Sequence, residues 1–314
     1  MVRTRVTIGP LVLKNPVLVA SGTFGYGDEC ADLVDVNRLG GVITKSLSLR
    51  PREGNPPVRI VETASGMLNS IGLANIGVEK FIVDKLPYLQ TLQTCVIVNI
   101  AASTIDEYCM VLSRLDEQEG IHGYEINVSC PNVKEGGLSF GTNCDMVAEI
   151  TRRLRPLTKK ALIVKLTPNV THVSEFARVA AGAGADAVSL INTLVGMAVD
   201  LKRRAPVLST TTGGLSGPAI KPIALAKVYE VARAVNIPVI GIGGIVSPGD
   251  AIEFLLVGAS AVQVGTANFV DPAAGVKIAE GIERYCEENN IGAVTDLIGS
   301  LNVAETTSVI DSWL

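Results

Sequence analysis

The sequence predicts an α/β fold, and within that class a (β/α)8 (TIM) barrel, from three observations. The chain has 314 residues, a length at which α/β barrels occur as one unit, so 1–314 is expected to form a single barrel domain. Eight short, continuously apolar runs recur along it, as is typical of strands buried on both faces of a parallel sheet. Helical patterns lie between these runs, and eight strands are the number that closes a barrel. A doubly wound open sheet is the competing architecture.

The elements can be assigned in order along the chain. A short hairpin is expected within the first 14 residues, around Gly9-Pro10, where it would close the bottom of the barrel. The eight predicted strands are 17–20, 41–45, 95–100, 124–128, 162–166, 186–191, 238–242 and 261–264. Two intervals, 46–78 and 193–220, are rich in Gly, Pro, Asn, Ser and Thr and too long for simple connections. We expect them to be long functional loops on the active face.

Three of the helices between the strands have clear signals. Ser247 can cap a helix, and Asp250 completes an S-x-x-D capping box with it. A second helix begins at Asn143, where apolar residues follow at helical spacing. A third is expected to start near Thr171 and to end in the glycine-containing stretch 182–184.

Composition and charge exclude several classes of protein. The chain is 47% hydrophobic and 18% charged, a balance that supports a large core rather than disorder. Its net charge of −4, without a basic run, argues against nucleic acid as a partner. No stretch of 18 apolar residues and no secretory signal are visible, so a cytoplasmic protein without a membrane span is expected. The six cysteines form no C-x-x-C pair, so we expect no metal site, iron–sulfur cluster or disulfide in this chain.

Polar residues and glycines stand at the carboxyl ends of the predicted strands, where the active site of a barrel lies. These ends carry Ser21, Lys45, Asn99, Asn127, Lys165, Asn192, Gly243-Gly244 and Gly265-Thr266. One polar residue at a strand end usually forms hydrogen bonds with nearby backbone. Lys or Asn at the ends of five of the eight strands instead indicates one shared polar site. Lys165 lies inside the apolar run LIVKL, where a lysine is seldom buried without a partner or a role, a surface ion pair being the ordinary alternative.

Glycine-rich segments follow the last two strands, GIGGI (241–245) and VGTA (264–267). This is the usual location of a phosphate site in such a barrel, because glycine lets backbone N–H groups approach an anion. Tight turns are the alternative explanation for each segment taken singly. The stretch GTFGYG (22–27) lacks the acidic residue about 20 positions later that a dinucleotide fingerprint requires.

The most specific segment is NVSCPN (127–132), which places Cys130 in a polar loop after the fourth strand. An exposed thiol in such a loop can act as a base or a nucleophile. The segment resembles the active-site loop of class 1 dihydroorotate dehydrogenases. The resemblance covers nearly the whole chain, through ASGTFGYG (20–27), GNPPVRIVETASGMLNSIGLANIG (54–77), INT (191–193), GGLSG (213–217) and the two glycine-rich segments. GMLNSIGL and GTFGYG are similar to the NAD-linked class 1B catalytic subunit rather than to fumarate-linked class 1A.

The resemblance implies a flavoprotein oxidoreductase that converts (S)-dihydroorotate to orotate in de novo pyrimidine biosynthesis, with Cys130 as the base that takes the C5 proton. The implied FMN site consists of Ser21, Lys45, Ser46, Asn99, Asn127, Lys165, Ile191, Gly217, Gly243, Gly244, Gly265 and Thr266. The implied substrate contacts are Lys45, Asn69, Ser70, Ile71, Gly72, Leu73, Asn127, Asn132, Asn192 and Thr193. A fixed positive charge at Lys165 would favour the anionic reduced ring of the flavin.

The resemblance also implies how the electrons leave. This chain shows neither a dinucleotide fingerprint nor a cysteine cluster. We therefore expect an electron-transfer subunit carrying FAD and a 2Fe–2S cluster, which would pass electrons from FMN to NAD. The implied assembly is a heterotetramer of two copies of each subunit, with a homodimer of this chain at its centre.

Three other functions remain open on the sequence alone. A dihydrouridine synthase should be basic in order to bind tRNA, whereas this chain is acidic. The pyrimidine-reducing domain of dihydropyrimidine dehydrogenase has similar loops and is the nearer alternative. A non-catalytic barrel that binds a phosphorylated ligand is the third, because barrels support many functions.

Overall fold

The chain forms a closed barrel of eight parallel strands, described by a computed structural model for residues 2–128 and 140–303. The strands are β1 (Val6–Ile8), β2 (Leu11–Leu13), β3 (Val17–Val19), β4 (Gly41–Ile43), β5 (Ile60–Thr63), β6 (Gly66–Asn69), β7 (Cys95–Ile100), β8 (Gly123–Asn127), β9 (Ala161–Lys165), β10 (Ala187–Leu190), β11 (Leu194–Gly196), β12 (Val199–Asp200), β13 (Ala205–Pro206), β14 (Gly213–Ser216), β15 (Val239–Ile242) and β16 (Ala261–Val264).

Helices surround the barrel and connect most of its strands. They are α1 (Val78–Asp84), α2 (Leu86–Leu89), α3 (Ile105–Asp116), α4 (Cys144–Leu154), α5 (Val173–Gly182), α6 (Lys221–Ala232), α7 (Pro248–Leu256), α8 (Ala267–Val270) and α9 (Ala274–Glu288). Within residues 2–128 and 140–303, no helix combines the length and the apolar character needed to cross a bilayer.

The barrel closes in the order β3-β4-β7-β8-β9-β10-β15-β16, with β16 paired to β3. Its strands are almost entirely buried, so their side chains pack both inward and against the helices. The predicted strands lie within a residue or two of the observed ones, and the predicted (β/α)8 barrel is confirmed. The open-sheet alternative is wrong, because an open sheet would leave two unpaired edge strands.

The N-terminal hairpin lies at the amino ends of the barrel strands. β1 and β2 pair antiparallel and bury alternate side chains, as expected for a ribbon with one face on the core. The thiol of Cys95, at the start of β7, donates to the carbonyl of Val12 at 3.6 Å. The predicted hairpin at the bottom of the barrel is therefore confirmed.

Local capping explains where the predicted helices begin. Ser247 and Asp250 form a reciprocal capping box at the start of α7. Asn143 caps α4 by accepting from the backbone N–H of Met146 at 3.2 Å. The third predicted helix, α5, has its N-cap at His172, one residue after the predicted start.

The two long intervals, 46–78 and 193–220, contain more regular structure than the expected loops. Strands β5 and β6 come from the first interval, β11 and β14 from the second, and they pair as a four-stranded sheet in the order β11-β14-β6-β5. We call this the antiparallel sheet. In β6 the side chain of Leu68 is buried, while Met67 and Asn69 on the opposite face line a cavity. The two intervals thus form one wall at the active face.

Candidate active site

A cavity of about 520 Å³ opens at the carboxyl ends of the barrel strands, between them and the antiparallel sheet. This volume falls within the range of sites for small molecules and cofactors. The polar strand ends predicted from the sequence meet here, because parallel strands bring their carboxyl ends to the same face.

Nearly all described residues of the predicted cofactor and substrate sets line this one cavity. They are Ser21, Lys45, Ser46, Asn69, Ser70, Ile71, Gly72, Leu73, Asn127, Lys165, Ile191, Asn192, Thr193, Gly217, Gly243, Gly244, Gly265 and Thr266. Asn99 is the exception, since its side chain is fully buried in the barrel interior and does not line the cavity. Cys130 and Asn132 lie outside the described residues.

Two lysines give the cavity its charge. Among the described residues that line it, Lys45 and Lys165 are the only ionisable side chains, and no carboxylate joins them. A partly enclosed site with two positive charges and no lining negative charge favours an anionic ligand. The rest of the polar lining consists of amides, hydroxyls and backbone.

Lys45 lies two residues after the end of β4, and its backbone N–H donates to the carbonyl of Gly25 at 2.7 Å. Burial lowers the pKa of Lys45 below its ordinary value, and the positive charge of Arg59 lowers this pKa further. Within the described part of the chain, no carboxylate lies within ion-pair distance of the Lys45 ammonium. A carboxylate on a bound ligand would therefore supply a counter-charge that the described residues do not.

Lys165 ends β9 and is paired from the barrel side. Its ammonium lies 3.5 Å from Oε1 of Glu125, and the side chains are 7% and 0% exposed. The alternative interpretation of Lys165, as a member of a surface ion pair, is therefore wrong, because its partner is a carboxylate in the barrel core. The two lysines of the cavity thus differ, since Lys165 alone has a described counter-charge.

The cavity also presents amides with fixed orientations. Asn192 donates from Nδ2 to Oδ1 of Asn127 at 3.4 Å, and its own Oδ1 accepts from the backbone N–H of Thr193 at 2.8 Å. Asn69 donates to the carbonyl of Gly214 at 3.3 Å, which ties it to the antiparallel sheet. The buried hydroxyl of Ser70 has no partner among the described residues. These groups suit a ring with alternating C=O and N–H groups, because amides and hydroxyls can both donate and accept.

The glycines after β15 and β16 have different structural causes. Gly243 and Gly244 have φ values of 132° and 72°, and a Cβ on Gly243 would lie 2.8 Å from Cβ of Ala224. The fold itself therefore requires glycine there. At Gly265 the nearest atom to an added Cβ would be Cβ of Ala20 at 3.7 Å, an ordinary contact, and φ is not in the left-handed region. Gly265 leaves space beside the cavity that the described residues do not fill.

Three residues that support the site from inside the barrel were not predicted from the sequence: Glu125, Ser189 and Gln263. All three are fully buried, and the Glu125 carboxylate accepts from both other side chains. Each of them is a polar residue within an otherwise apolar predicted strand, as in YEINV, AVSLI and AVQV. Polar residues at buried strand positions need hydrogen-bond partners, so this pattern indicates a hydrogen-bond network inside the barrel.

The other cysteines offer no alternative base within the described residues. Cys30, Cys95, Cys109, Cys144 and Cys286 are free thiols, and none lines the cavity. Burial raises the pKa of each of these thiols above its ordinary value, which disfavours the thiolate.

Comparisons with known proteins agree with this arrangement. The family model for dihydroorotate dehydrogenase matches residues 3–286. A protein of Geotalea uraniireducens named dihydroorotate dehydrogenase B (NAD(+)), catalytic subunit, is 57% identical over 296 residues, which cover 94% of this chain and 97% of that protein. A Bacteroides fragilis protein with the same name is 53% identical over 298 residues, covering 95% of this chain and 98% of its own.

A solved structure supports the fold. The crystal structure of DHODH from Eimeria tenella in complex with ferulenol superposes with a TM-score of 0.78, covering 95% of this chain and 88% of that one, at 23% identity. At that identity the likeness concerns the barrel alone. The match of the family model and the identity to the bacterial relatives decide the classification: the chain belongs to the dihydroorotate dehydrogenase family.

Proposed function

We propose that this chain uses FMN to oxidise (S)-dihydroorotate to orotate in de novo pyrimidine biosynthesis. The observation that carries the proposal is the composition of the cavity. It combines two lysines with an array of amides and hydroxyls, and no carboxylate among the described lining residues. Dihydroorotate is an amide ring bearing a carboxylate, and FMN carries a phosphate, so both ligands match this lining.

The residues present fit FMN. Gly243, Gly244, Gly265 and Thr266 follow the last two barrel strands, where backbone N–H groups can hold a phosphate, and the unfilled space beside Gly265 leaves room for it. Lys165 is the buried cation best placed to meet the ring system from the barrel side. When bound, FMN supplies the hydride acceptor that no amino-acid side chain provides.

The substrate is assigned to the part of the cavity beneath the antiparallel sheet. Lys45 would pair with the substrate carboxylate, and its own burial makes that pairing favourable. Asn69, Asn127 and Asn192 would bind the C=O and N–H groups of the ring and exclude water from it. Cys130 is assigned as the base on its sequence context, three positions after Asn127, the last residue of β8.

We further propose that electrons leave through a second subunit. The relatives are named NAD-linked catalytic subunits, and this chain carries no dinucleotide fingerprint. The partner would carry FAD and a 2Fe–2S cluster, with two copies of each subunit in the assembly. In the described residues no group of three or more His, Cys, Asp or Glu side chains could hold a metal ion.

An anaerobic absorbance titration tests the proposal. The purified chain should show a flavin spectrum that bleaches when dihydroorotate is added, does not bleach with dihydrouracil, and does not recover when NAD follows. Absence of a flavin, or indifference to dihydroorotate, would contradict the cofactor or the substrate assignment. Bleaching by dihydrouracil would favour the pyrimidine-reductase alternative, and rapid recovery with NAD alone would refute the need for a partner.

Gly265→Ala separates ligand binding from folding. The added methyl group has room among the described residues, so thermal stability of the flavin-free chain should stay unchanged. The same methyl group should enter the space assigned to the phosphate and weaken FMN retention by about tenfold, the cost of roughly 1.4 kcal/mol. FMN dissociation constants from fluorescence titration measure this.

Gly249→Ala is the matched control. Gly249 lies in the first turn of α7, away from the cavity lining, and the nearest atom to its Cβ would be Oγ of Ser247 at 3.8 Å. This variant should bind FMN like the unmodified chain. Equal FMN affinity in both variants would remove Gly265 from the phosphate site.

A further inference from the structure

A cluster of polar side chains fills part of the barrel interior, where branched apolar residues are the rule. The interior polar cluster consists of Asn99 on β7, Glu125 on β8, Lys165 on β9, Ser189 on β10 and Gln263 on β16. Lys165 is 6% exposed and the other four are fully buried. Five of the eight barrel strands thus contribute one member each.

Glu125 is the centre of this cluster. Its Oε1 accepts from Nδ2 of Asn99 at 2.7 Å and lies 3.5 Å from the Lys165 ammonium. Its Oε2 accepts from Oγ of Ser189 at 2.8 Å and from Nε2 of Gln263 at 2.6 Å. Four donors converge on one carboxylate, which matches the acceptor capacity of its ionised form.

Lys165 connects the cluster to the active site. It is the one member that lines the cavity, while the four others lie behind it in the barrel. Its ammonium is therefore the positive end of a buried charge pair whose negative end, Glu125, does not line the cavity. The second lysine of the cavity, Lys45, has no such partner among the described residues.

Stability alone does not account for this arrangement. Replacing a buried ion pair with packed apolar residues is often neutral or stabilising, because desolvation costs about as much as the pairing returns. An apolar layer would fill a barrel core equally well. A function that acts on the neighbouring ligand gives a reason for the pair.

We propose that Glu125 is a positioning residue that acts through Lys165: it fixes the ammonium at the barrel side of the cavity and offsets part of its charge, and so sets the reduction potential of the bound flavin. This inference rests on the proposed FMN site. A positive charge beside the ring stabilises the anionic reduced form and raises the potential, whereas a nearby carboxylate lowers it. The pair therefore holds the potential between the values that either charge alone would give.

The test is the FMN midpoint potential of three variants, measured by anaerobic dye-linked titration of the flavin spectrum. Glu125→Gln should raise the potential, Lys165→Gln should lower it, and the double variant should return toward the unmodified chain. Glu125→Gln is nearly isosteric. The Ser189 hydroxyl can accept as well as donate, and the Gln263 amide can turn its Oε1, which has no partner among the described residues, toward the new amide.

Opposite shifts distinguish electrostatic tuning from a structural role. If Glu125 only supported the fold, both single variants would shift the midpoint potential in the same direction, and the double variant would shift it furthest. An unchanged or lowered potential in Glu125→Gln overturns the proposal. Glu79→Gln is the control, because this exposed carboxylate on α1 pairs with Arg114 and neither residue lines the cavity, so its loss should leave the potential unchanged.

The double variant keeps the test decisive if Glu125→Gln does not fold. Removing one partner leaves an unpaired buried charge, but removing both does not. The potential of the double variant should then lie above that of Lys165→Gln, because the carboxylate that lowers it is gone, and a value at or below the Lys165→Gln potential overturns the inference. A chain without any flavin would instead refute the proposed function, and the inference with it.

Discussion

Replacing Cys130 with alanine is expected to slow the reduction of bound FMN by dihydroorotate about 100-fold or more, the scale of a lost general base. FMN should remain bound, because the predicted cofactor residues that line the cavity belong to other positions. Anaerobic stopped-flow absorbance at saturating dihydroorotate measures the rate directly. Reduction at the unmodified rate would remove Cys130 from the mechanism.

Cys144→Ala is the matched control for this prediction. Cys144 opens α4, only 14 positions along the chain, and does not line the cavity. Burial raises the pKa of its thiol, with the nearby carboxylates of Glu175 and Asp145 as smaller causes, so it makes a poor base. The same loss of a sulfur atom at Cys144 should leave the rate of flavin reduction unchanged.

The pH dependence gives a second signature of a thiol base. A free cysteine has a pKa of about 8.5, and only the thiolate can take a proton. The rate of flavin reduction in the unmodified chain should therefore rise with pH and level off once the thiol has ionised. In Cys130→Ala this rise should disappear. A flat profile in the unmodified chain would contradict a titrating base.

The barrel was predictable because its signals are local. Each strand of a buried parallel sheet is a continuous apolar run, so CVIVNI at 95–100 can be recognised without knowledge of its neighbours. The capping box of Ser247 and Asp250 spans four residues and involves one turn of helix. Closure then follows from the number of strands, and it brings the strand ends into one cavity.

The remaining features depend on contacts between distant parts of the chain. The antiparallel sheet pairs β6 with β14, whose glycine-containing sequences have weak strand propensity, so propensity alone suggested loops. The sequence shows that Glu125 is a polar residue within a buried strand. It does not show that the four donors to its carboxylate come from β7, β9, β10 and β16. Only the register of the closed barrel determines that these side chains meet.

Replacing Lys45 with methionine is the second change with a large expected effect. A hydrogen bond to a charged group contributes about 1.5–3 kcal/mol, so the dissociation constant for orotate should rise by roughly 10- to 100-fold. Titration of the flavin spectrum with orotate measures this constant. Lys159→Met is the control, since Lys159 is an exposed lysine before β9 and does not line the cavity. Equal orotate affinity in the two variants would exclude Lys45 from carboxylate binding.

Lys45→Met should raise the thermal stability of the ligand-free chain even though it weakens orotate binding. Burial lowers the pKa of Lys45, so the folded state disfavours the charged ammonium at neutral pH, and Lys45→Met should stabilise the ligand-free chain against thermal unfolding. The loss of folding free energy caused by the buried ammonium is fully present below the lowered pKa. It disappears as pH rises through the ordinary pKa of a lysine.

Orotate affinity should be greatest below the lowered pKa of Lys45 and fall as pH rises through it, because the neutral amine cannot pair with a carboxylate. In Lys45→Met the affinity should be weak and independent of this titration. A destabilised variant with unchanged pH dependence would mean that Lys45 supports the fold rather than the ligand.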